Sequence, residues 1–223
     1  MLAGARHALT RRAWLAHCSV AVASLAGAVA SARAMAMPTK VLVVGDSLSA
    51  EYGLARGTGW VALLEQRLQR ERVGATVVNA SISGDTSSGG RTRLPTLLAQ
   101  HKPTHVIIEL GSNDALRGLP LNMTRDNLTA MLRAVRDTGA QALLVGMRMP
   151  PNYGKQYTQE FEALYASLAK AEGAGLVPFM LAGVADAPNA SSLFQDDGLH
   201  PTAQAQATIV DTIWPALRGQ LRP

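Results

Sequence analysis

The amino-acid sequence predicts an α/β protein built on a doubly wound parallel β-sheet. Apolar runs of strand length alternate with segments of helical periodicity from about residue 40 to the end of the chain. Several of these runs are nearly continuous, as is typical of parallel strands that are covered on both faces. The succession of strand–helix units favours one open α/β sheet.

The predicted strands are the short apolar runs, of which the first, third and fourth are the most continuous. They lie at 41–44, 76–79, 105–110, 142–146 and 176–179. Segments with helical spacing follow them at 60–71, 88–100, 122–138, 158–172 and 202–217. Because the carboxyl ends of parallel strands form one edge of the sheet, we expect the loops after the strands to build a ligand site there.

Residues 1–34 are predicted to be a cleavable export signal that precedes a single domain at 35–223. A basic start is followed by an apolar run at 19–30 and by small-x-small cleavage sites at 30–32 or 32–34. The run is shorter than the roughly 20 apolar residues that span a bilayer. We therefore expect export to a periplasmic or secreted location without a stable membrane anchor; the alternative is an uncleaved amphipathic or anchoring N-terminus.

Charge and cysteine content exclude several classes of function. The whole chain has 21 basic and 16 acidic residues, but the predicted signal holds four of the basic ones (Arg6, Arg11, Arg12 and Arg33) and none of the acidic ones. The near-neutral remainder argues against nucleic-acid binding. Cys18, the only cysteine, lies in the signal. No other residues show metal-ligand spacing, so neither a metal nor a cofactor is predicted.

Four short motifs follow predicted strands and should therefore converge. Three follow the first, second and third strands in turn, and the last follows the fifth. They are Gly45-Asp46-Ser47-Leu48, Ser83-Gly84-Asp85, Gly111-Ser112-Asn113-Asp114 and Asp197-Gly198-Leu199-His200-Pro201. Together they supply the residue types that a serine hydrolase requires.

Ser47 is the candidate nucleophile, at a predicted strand-to-helix turn, with His200 as its base and Asp197 as the residue that orients the base. Pro201 suits the first turn of a helix, which would place His200 at its start. The alternatives are that Asp46 or Ser47 only caps a helix, that Asp197 does the same, and that Asp196 is the orienting carboxylate.

The candidate oxyanion donors are the amides of Ser47 and Gly84 and the side chain of Asn113. Their alternative roles are a turn glycine at Gly84 and an Asx turn or helix cap at Asn113. Asp114 is expected to brace the loop rather than to take part in the chemistry.

These blocks resemble the signatures of the SGNH, or GDSL, hydrolase superfamily, whose Ser, Gly, Asn and His match Ser47, Gly84, Asn113 and His200. Further similarity, to the bacterial periplasmic thioesterase I/protease I/lysophospholipase and arylesterase group, extends over the sequence after the signal. The resemblance implies a flavodoxin-like three-layer α/β/α sandwich with a five-stranded parallel sheet. It also implies hydrolysis of acyl esters and thioesters through an acylated Ser47, without a cofactor. Ser112, Glu51 and residues 53–58 depart from the group's pattern.

The loop at 147–157 is rich in Met, Pro and Tyr, and Met149 and Tyr153 are predicted to form a wall of an apolar acyl groove. The alternative is ordinary loop packing. The expected ligand is a small-molecule acyl ester or thioester, and the expected oligomeric state is a monomer. Two rival functions are a carbohydrate O-acetylesterase that uses the same blocks and a non-catalytic lipid- or glycan-binding module.

Overall fold

A computed structural model describes residues 38–221, so the predicted export signal lies outside the described residues. Five parallel strands form one sheet in the order β2-β1-β3-β4-β5. They are β1 (Thr39–Gly45), β2 (Ala75–Asn79), β3 (His105–Glu109), β4 (Gln141–Val145) and β5 (Gly175–Val177). The predicted doubly wound parallel sheet is confirmed.

Helices cover both faces of the sheet. They are α1 (Trp60–Arg70), α2 (Ser87–His101), α3 (Ser112–Leu116), α4 (Leu121–Asp137), α5 (Lys155–Glu172) and α6 (Gln206–Gln220). Helix α1 packs against α6, whereas α4 packs against both α2 and α5. The result is the predicted three-layer α/β/α sandwich.

Continuous apolar strands explain where the core lies. The central residues of β1 and β3 are inaccessible to solvent because helices cover both faces of these strands. Winding reverses between the two strands, since β1 pairs with β2 on one side and with β3 on the other. This reversal opens a crevice at their carboxyl ends, which is the usual ligand position in such sheets.

Three local predictions differ from the structure. Strand β5 ends at Val177 instead of extending to residue 179, where Pro178 has no N–H for a ladder. The last helix starts at Gln206 after a 3₁₀ turn, Ala203–Ala205, and not at residue 202. The short helix α3 was not predicted. Among residues 38–221, no helix is long and apolar enough to cross a membrane.

Candidate active site

Ser47 lies in a tight turn that follows β1. The amide of Leu48 donates to Asp46 Oδ1 at 3.0 Å, and the amide of Ala50 donates to the Asp46 carbonyl at 3.0 Å. The expected helix start at Ser47 is wrong, because the chain continues in turns and α1 begins only at Trp60. Ser47 is therefore presented by a turn at the crevice and not by a helix terminus.

A buried acid on the neighbouring strand, Glu109, supports this turn. Glu109, at the end of β3, is fully buried, and its Oε2 accepts hydrogen bonds from the amide of Asp46 at 3.2 Å and from Ser49 Oγ at 2.7 Å. A side chain at Gly45 would come within 2.7 Å of the same oxygen, so glycine permits this close approach. Burial raises the pKa of Glu109 well above its ordinary value. The turn is thus tied to the neighbouring central strand.

Ser47, His200 and Asp197 form an unbroken chain of hydrogen bonds. Ser47 Oγ lies 2.8 Å from His200 Nε2, and His200 Nδ1 lies 2.7 Å from Asp197 Oδ2. Asp197 is therefore the carboxylate that contacts the imidazole. The alternative, Asp196, does not pair with His200 within the described chain. Each ring nitrogen of His200 thus has one of the partners that the sequence predicted.

Two backbone amides of its own turn fix the orientation of the Asp197 carboxylate. Its Oδ1 accepts hydrogen bonds from the amides of His200 at 2.9 Å and Leu199 at 2.8 Å. These bonds, with that from the His200 ring, lower the pKa of Asp197 from 3.8 to about 2. Asp197 is therefore ionised throughout the neutral range, although its side chain is 38% exposed.

His200 is positioned by an extended pairing and not by a helix start. Pro201 forms an antiparallel bridge with Phe194, and the amide of Gln195 donates to the His200 carbonyl at 2.8 Å. The expected placement of Pro201 in the first turn of a helix is wrong. A pairing between two parts of the long loop after β5 fixes His200 instead.

Gly84 and Asn113 lie beside Ser47 in one cavity. Gly84 has a φ of +76°, a conformation that disfavours other residues. Asn113 Nδ2 donates to Asp46 Oδ2 and to the Asp85 carbonyl, both at 3.0 Å. Within residues 38–221, the amides of Ser47 and Gly84 donate to no other backbone group. Two backbone amides beside Ser47 thus have no backbone acceptor, whereas both hydrogens of the Asn113 amide already have one.

Polar contacts fix the conformation of the loop that carries Gly84. Arg117 Nη2 donates to the Gly84 carbonyl at 2.8 Å. Arg93 Nε pairs with Asp85 Oδ2 at 2.8 Å, and its Nη1 also bonds the Ala80 carbonyl. The Gly84 amide therefore belongs to a braced loop.

Asp114 is buried and accepts hydrogen bonds from Ser87 Oγ at 2.5 Å, from the Ser87 amide at 2.8 Å and from Thr124 Oγ1 at 3.2 Å. It joins α3 to the starts of α2 and α4. This is the expected bracing role.

An apolar cavity of about 660 Å³ adjoins Ser47 and His200. Its apolar lining includes side chains from α3 and from the loops after β1, β4 and β5: Leu48, Leu116, Met147, Met149, Phe179, Leu181 and Phe194. Burial raises the pKa of Asp46, at the base of this cavity, to about 6, while the Leu48 amide and the charge of His200 oppose the rise. The cavity offers an apolar surface next to a polar reaction centre.

The two residues predicted to line an acyl groove are placed differently. Met149 lines the cavity and is nearly buried. Tyr153 lies in a 3₁₀ turn, is 37% exposed and is not among the residues that line the cavity. The structure therefore brings Met149, but not Tyr153, to the site.

Sequence reasoning missed Tyr52 and Gln195. The ring of Tyr52 packs on the imidazole of His200, with 4.4 Å between centroids, and Gln195 Nε2 donates to the Tyr52 carbonyl at 3.0 Å. Their proximity to Ser47 and His200 in the sequence was the available signal. Among the described residues, no three or more His, Cys, Asp or Glu side chains are grouped to hold a metal ion.

Comparisons with known proteins add independent findings. A sequence model of the "GDSL-like Lipase/Acylhydrolase family" matches residues 43–208. "Esterase TesA" of Pseudomonas aeruginosa is 48% identical over 81% of this chain and 89% of its own length. "Thioesterase 1/protease 1/lysophospholipase L1" of Escherichia coli K12 is 44% identical over 86% of each chain. A crystal structure of TesA superposes with a TM-score of 0.78 at 47% identity, covering 82% of this chain and all (100%) of the other.

Proposed function

The chain belongs to the GDSL-like lipase/acylhydrolase family and is an ester-hydrolysing enzyme, and from this premise we propose that it hydrolyses acyl esters and thioesters through an acyl-Ser47 intermediate. One observation carries the assignment of residues. The hydrogen-bond chain from Asp197 through His200 to Ser47 ends beside an apolar cavity. It joins a nucleophile, a base and a carboxylate to a place for an acyl group.

In acylation, Ser47 Oγ attacks the carbonyl carbon of the substrate while His200 Nε2 takes the hydroxyl proton. The 2.8 Å contact between these atoms is suitable for this transfer. Asp197 stabilises the imidazolium that forms and keeps Nε2 directed at Ser47. His200 then protonates the leaving alcohol or thiol as its bond to the acyl carbon breaks.

The oxyanion of the tetrahedral intermediate is stabilised by the amides of Ser47 and Gly84 and by Asn113 Nδ2. The amide hydrogens of Asn113 have the acceptors Asp46 and the Asp85 carbonyl in the free enzyme. Asn113 must therefore share one hydrogen with the oxyanion. These two acceptors orient the amide in advance, so little reorganisation is required during the reaction.

Deacylation repeats the same steps with water in place of Ser47. His200 takes a proton from water as the water oxygen attacks the acyl carbon, and it returns the proton to Ser47 Oγ as the ester bond breaks. The carboxylic acid then leaves and the enzyme returns to its starting state. No cofactor is required by any of these steps.

The apolar cavity supports a substrate with an extended acyl chain. Each buried CH₂ group contributes about 0.8 kcal/mol of binding free energy, and an acetyl group uses little of the available surface. A carbohydrate O-acetylesterase is therefore less well supported. We propose in addition that residues 1–34 are a cleaved export signal, that residues 35–223 form a monomeric domain, and that the protein is periplasmic or secreted.

Hydrolysis of p-nitrophenyl esters from acetyl to palmitoyl, together with an acyl thioester, tests the proposed function. We expect activity that increases beyond acetyl and then declines when the acyl chain exceeds the cavity. Activity confined to acetyl esters would instead support the O-acetylesterase. Binding without turnover would support the non-catalytic module.

Replacing Asn113 with alanine should lower kcat by about 10²–10³-fold, which is the usual cost of losing one oxyanion donor. The dissociation constant of an unreactive ether analogue should change little. The analogue forms no oxyanion, and the hydrogen bond from Asn113 becomes strong only when the negative charge develops. Asn189, a surface residue outside the cavity, provides the control variant N189A. A wild-type kcat in N113A would show that Asn113 does not stabilise the oxyanion.

Replacing Met149 with glutamine should reduce the preference for long acyl chains. The substitution puts a polar amide against the cavity, so we expect kcat/KM for decanoyl relative to acetyl ester to fall about 3- to 10-fold. Because both kcat/KM values of a ratio are measured on the same protein preparation, a loss of folded protein does not change the ratio. The matched variant Y153Q lies outside the cavity lining and should keep the wild-type ratio. Equal ratios in M149Q and the wild type would argue against an acyl wall at Met149.

A further inference from the structure

The ring of Tyr52 packs on the imidazole of His200. The ring centroids are 4.4 Å apart and the ring planes are inclined at 38°. Tyr52 also lines the cavity, although 51% of the residue is exposed to solvent. An aromatic side chain this exposed gains little from burial. Its position is therefore better explained by the contact with His200.

Two hydrogen bonds hold the backbone of Tyr52, and a third fixes the Gln195 side chain that makes one of them. Gln195 Nε2 donates to the Tyr52 carbonyl at 3.0 Å and to the Pro201 carbonyl at 3.2 Å. The Tyr52 amide donates to the Ser47 carbonyl at 3.3 Å. A side chain on Gly53 would overlap the Gln195 amide, at 2.0 Å from its Oε1. Tyr52 is thus attached both to the turn of Ser47 and to the loop of His200.

We propose that Tyr52 is a positioning residue for His200, whose aromatic face restrains the imidazole and stabilises the imidazolium formed in each proton transfer. This proposal rests on the proposed function. The negative face of an aromatic ring attracts a cation within about 6 Å of its centroid. The ring therefore favours the charged state of His200, which is the state formed as Ser47 attacks.

The other groups that face His200 have separate roles. Asp197 contacts Nδ1, and Ser47 contacts Nε2. Asp46 is buried beneath Ser47 and interacts electrostatically with His200, so its own protonation can also affect the low-pH side of the activity profile. A test of Tyr52 must therefore observe His200 directly as well as the rate.

Two variants separate the ring from its hydroxyl. Y52F retains the aromatic face, whereas Y52L retains an apolar side chain without it. At an exposed site, the attraction between an aromatic face and a cation is strong enough to change a rate about 2–5-fold. We therefore expect kcat/KM of Y52L to be lower than that of the wild type by this factor. The acid limb of its pH–rate profile should move to lower pH by about 0.4–0.7. Y52F should retain the wild-type acid limb.

NMR titration of the His200 ring supplies a readout that does not need turnover. Its signals are identified by their loss in H200Q, and their titration midpoint should move down in Y52L but not in Y52F. Unchanged midpoints in Y52L, or equal displacement in both variants, would overturn the role of the aromatic face. An inactive wild type would overturn the proposed function instead, and the titration would still decide the role of Tyr52.

Discussion

Replacing Ser47 with alanine is expected to lower kcat by about 10⁶-fold, because the acyl-enzyme can no longer form. The hydroxyl contacts His200 Nε2 at 2.8 Å, whereas the turn around it is held by backbone and by Asp46. S47A should therefore fold normally and bind substrate. The residual rate would come from the oxyanion donors and from substrate binding.

The matched control for S47A is S88A. Ser88 is an exposed serine on α2, outside the cavity, and alanine suits a helix, so this variant should keep the wild-type rate. Mass spectrometry after mixing the wild type with a slowly hydrolysed ester should locate the acyl group on the peptide that contains Ser47. Substantial turnover by S47A would contradict the acyl-enzyme and would indicate direct attack by a water molecule.

The fold was predictable where burial dominates the choice of residues. The central strands β1 and β3 are covered on both faces, so continuous apolar runs such as 41–44 identify them from sequence alone. The turn at Ser47 was not predictable in this way. It depends on Glu109, a distant buried acid that bonds the Asp46 amide, and on the space left by Gly45.

The site was predictable as a set of residues but not in its supporting contacts. Placing the motifs after parallel strands predicts that Ser47 and His200 approach one another. The bridge between Phe194 and Pro201 and the packing of Tyr52 on His200 involve no local periodicity. The packing arises only when the loops after β1 and β5 meet, and the bridge joins two parts of one irregular loop, so a periodic pattern reveals neither of them.

Replacing Asp197 with asparagine is expected to lower kcat by about 10⁴-fold, because the variant favours the wrong imidazole tautomer. The amides of Leu199 and His200 donate to Oδ1, so they should hold the asparagine oxygen at that position. The NH₂ group then faces Nδ1 and donates to it. His200 must carry its proton on Nε2, which can no longer accept the proton of Ser47.

The same geometry predicts that alanine is less harmful than asparagine at position 197. Asp197 is 38% exposed, so water can reach Nδ1 in D197A and partly restore the correct tautomer. We expect D197A to be more active than D197N, measured as kcat for the same ester. The two variants should be compared with the wild type at neutral pH, because the stability of the wild type itself changes in acid. Because the pKa of Asp197 falls from 3.8 to about 2 on folding, its charge stabilises the native state fully above pH 3.8 and this contribution is lost as pH falls toward 2. An asparagine variant as active as the alanine variant would show that tautomer control is not the role of Asp197, and that its charge alone supports His200.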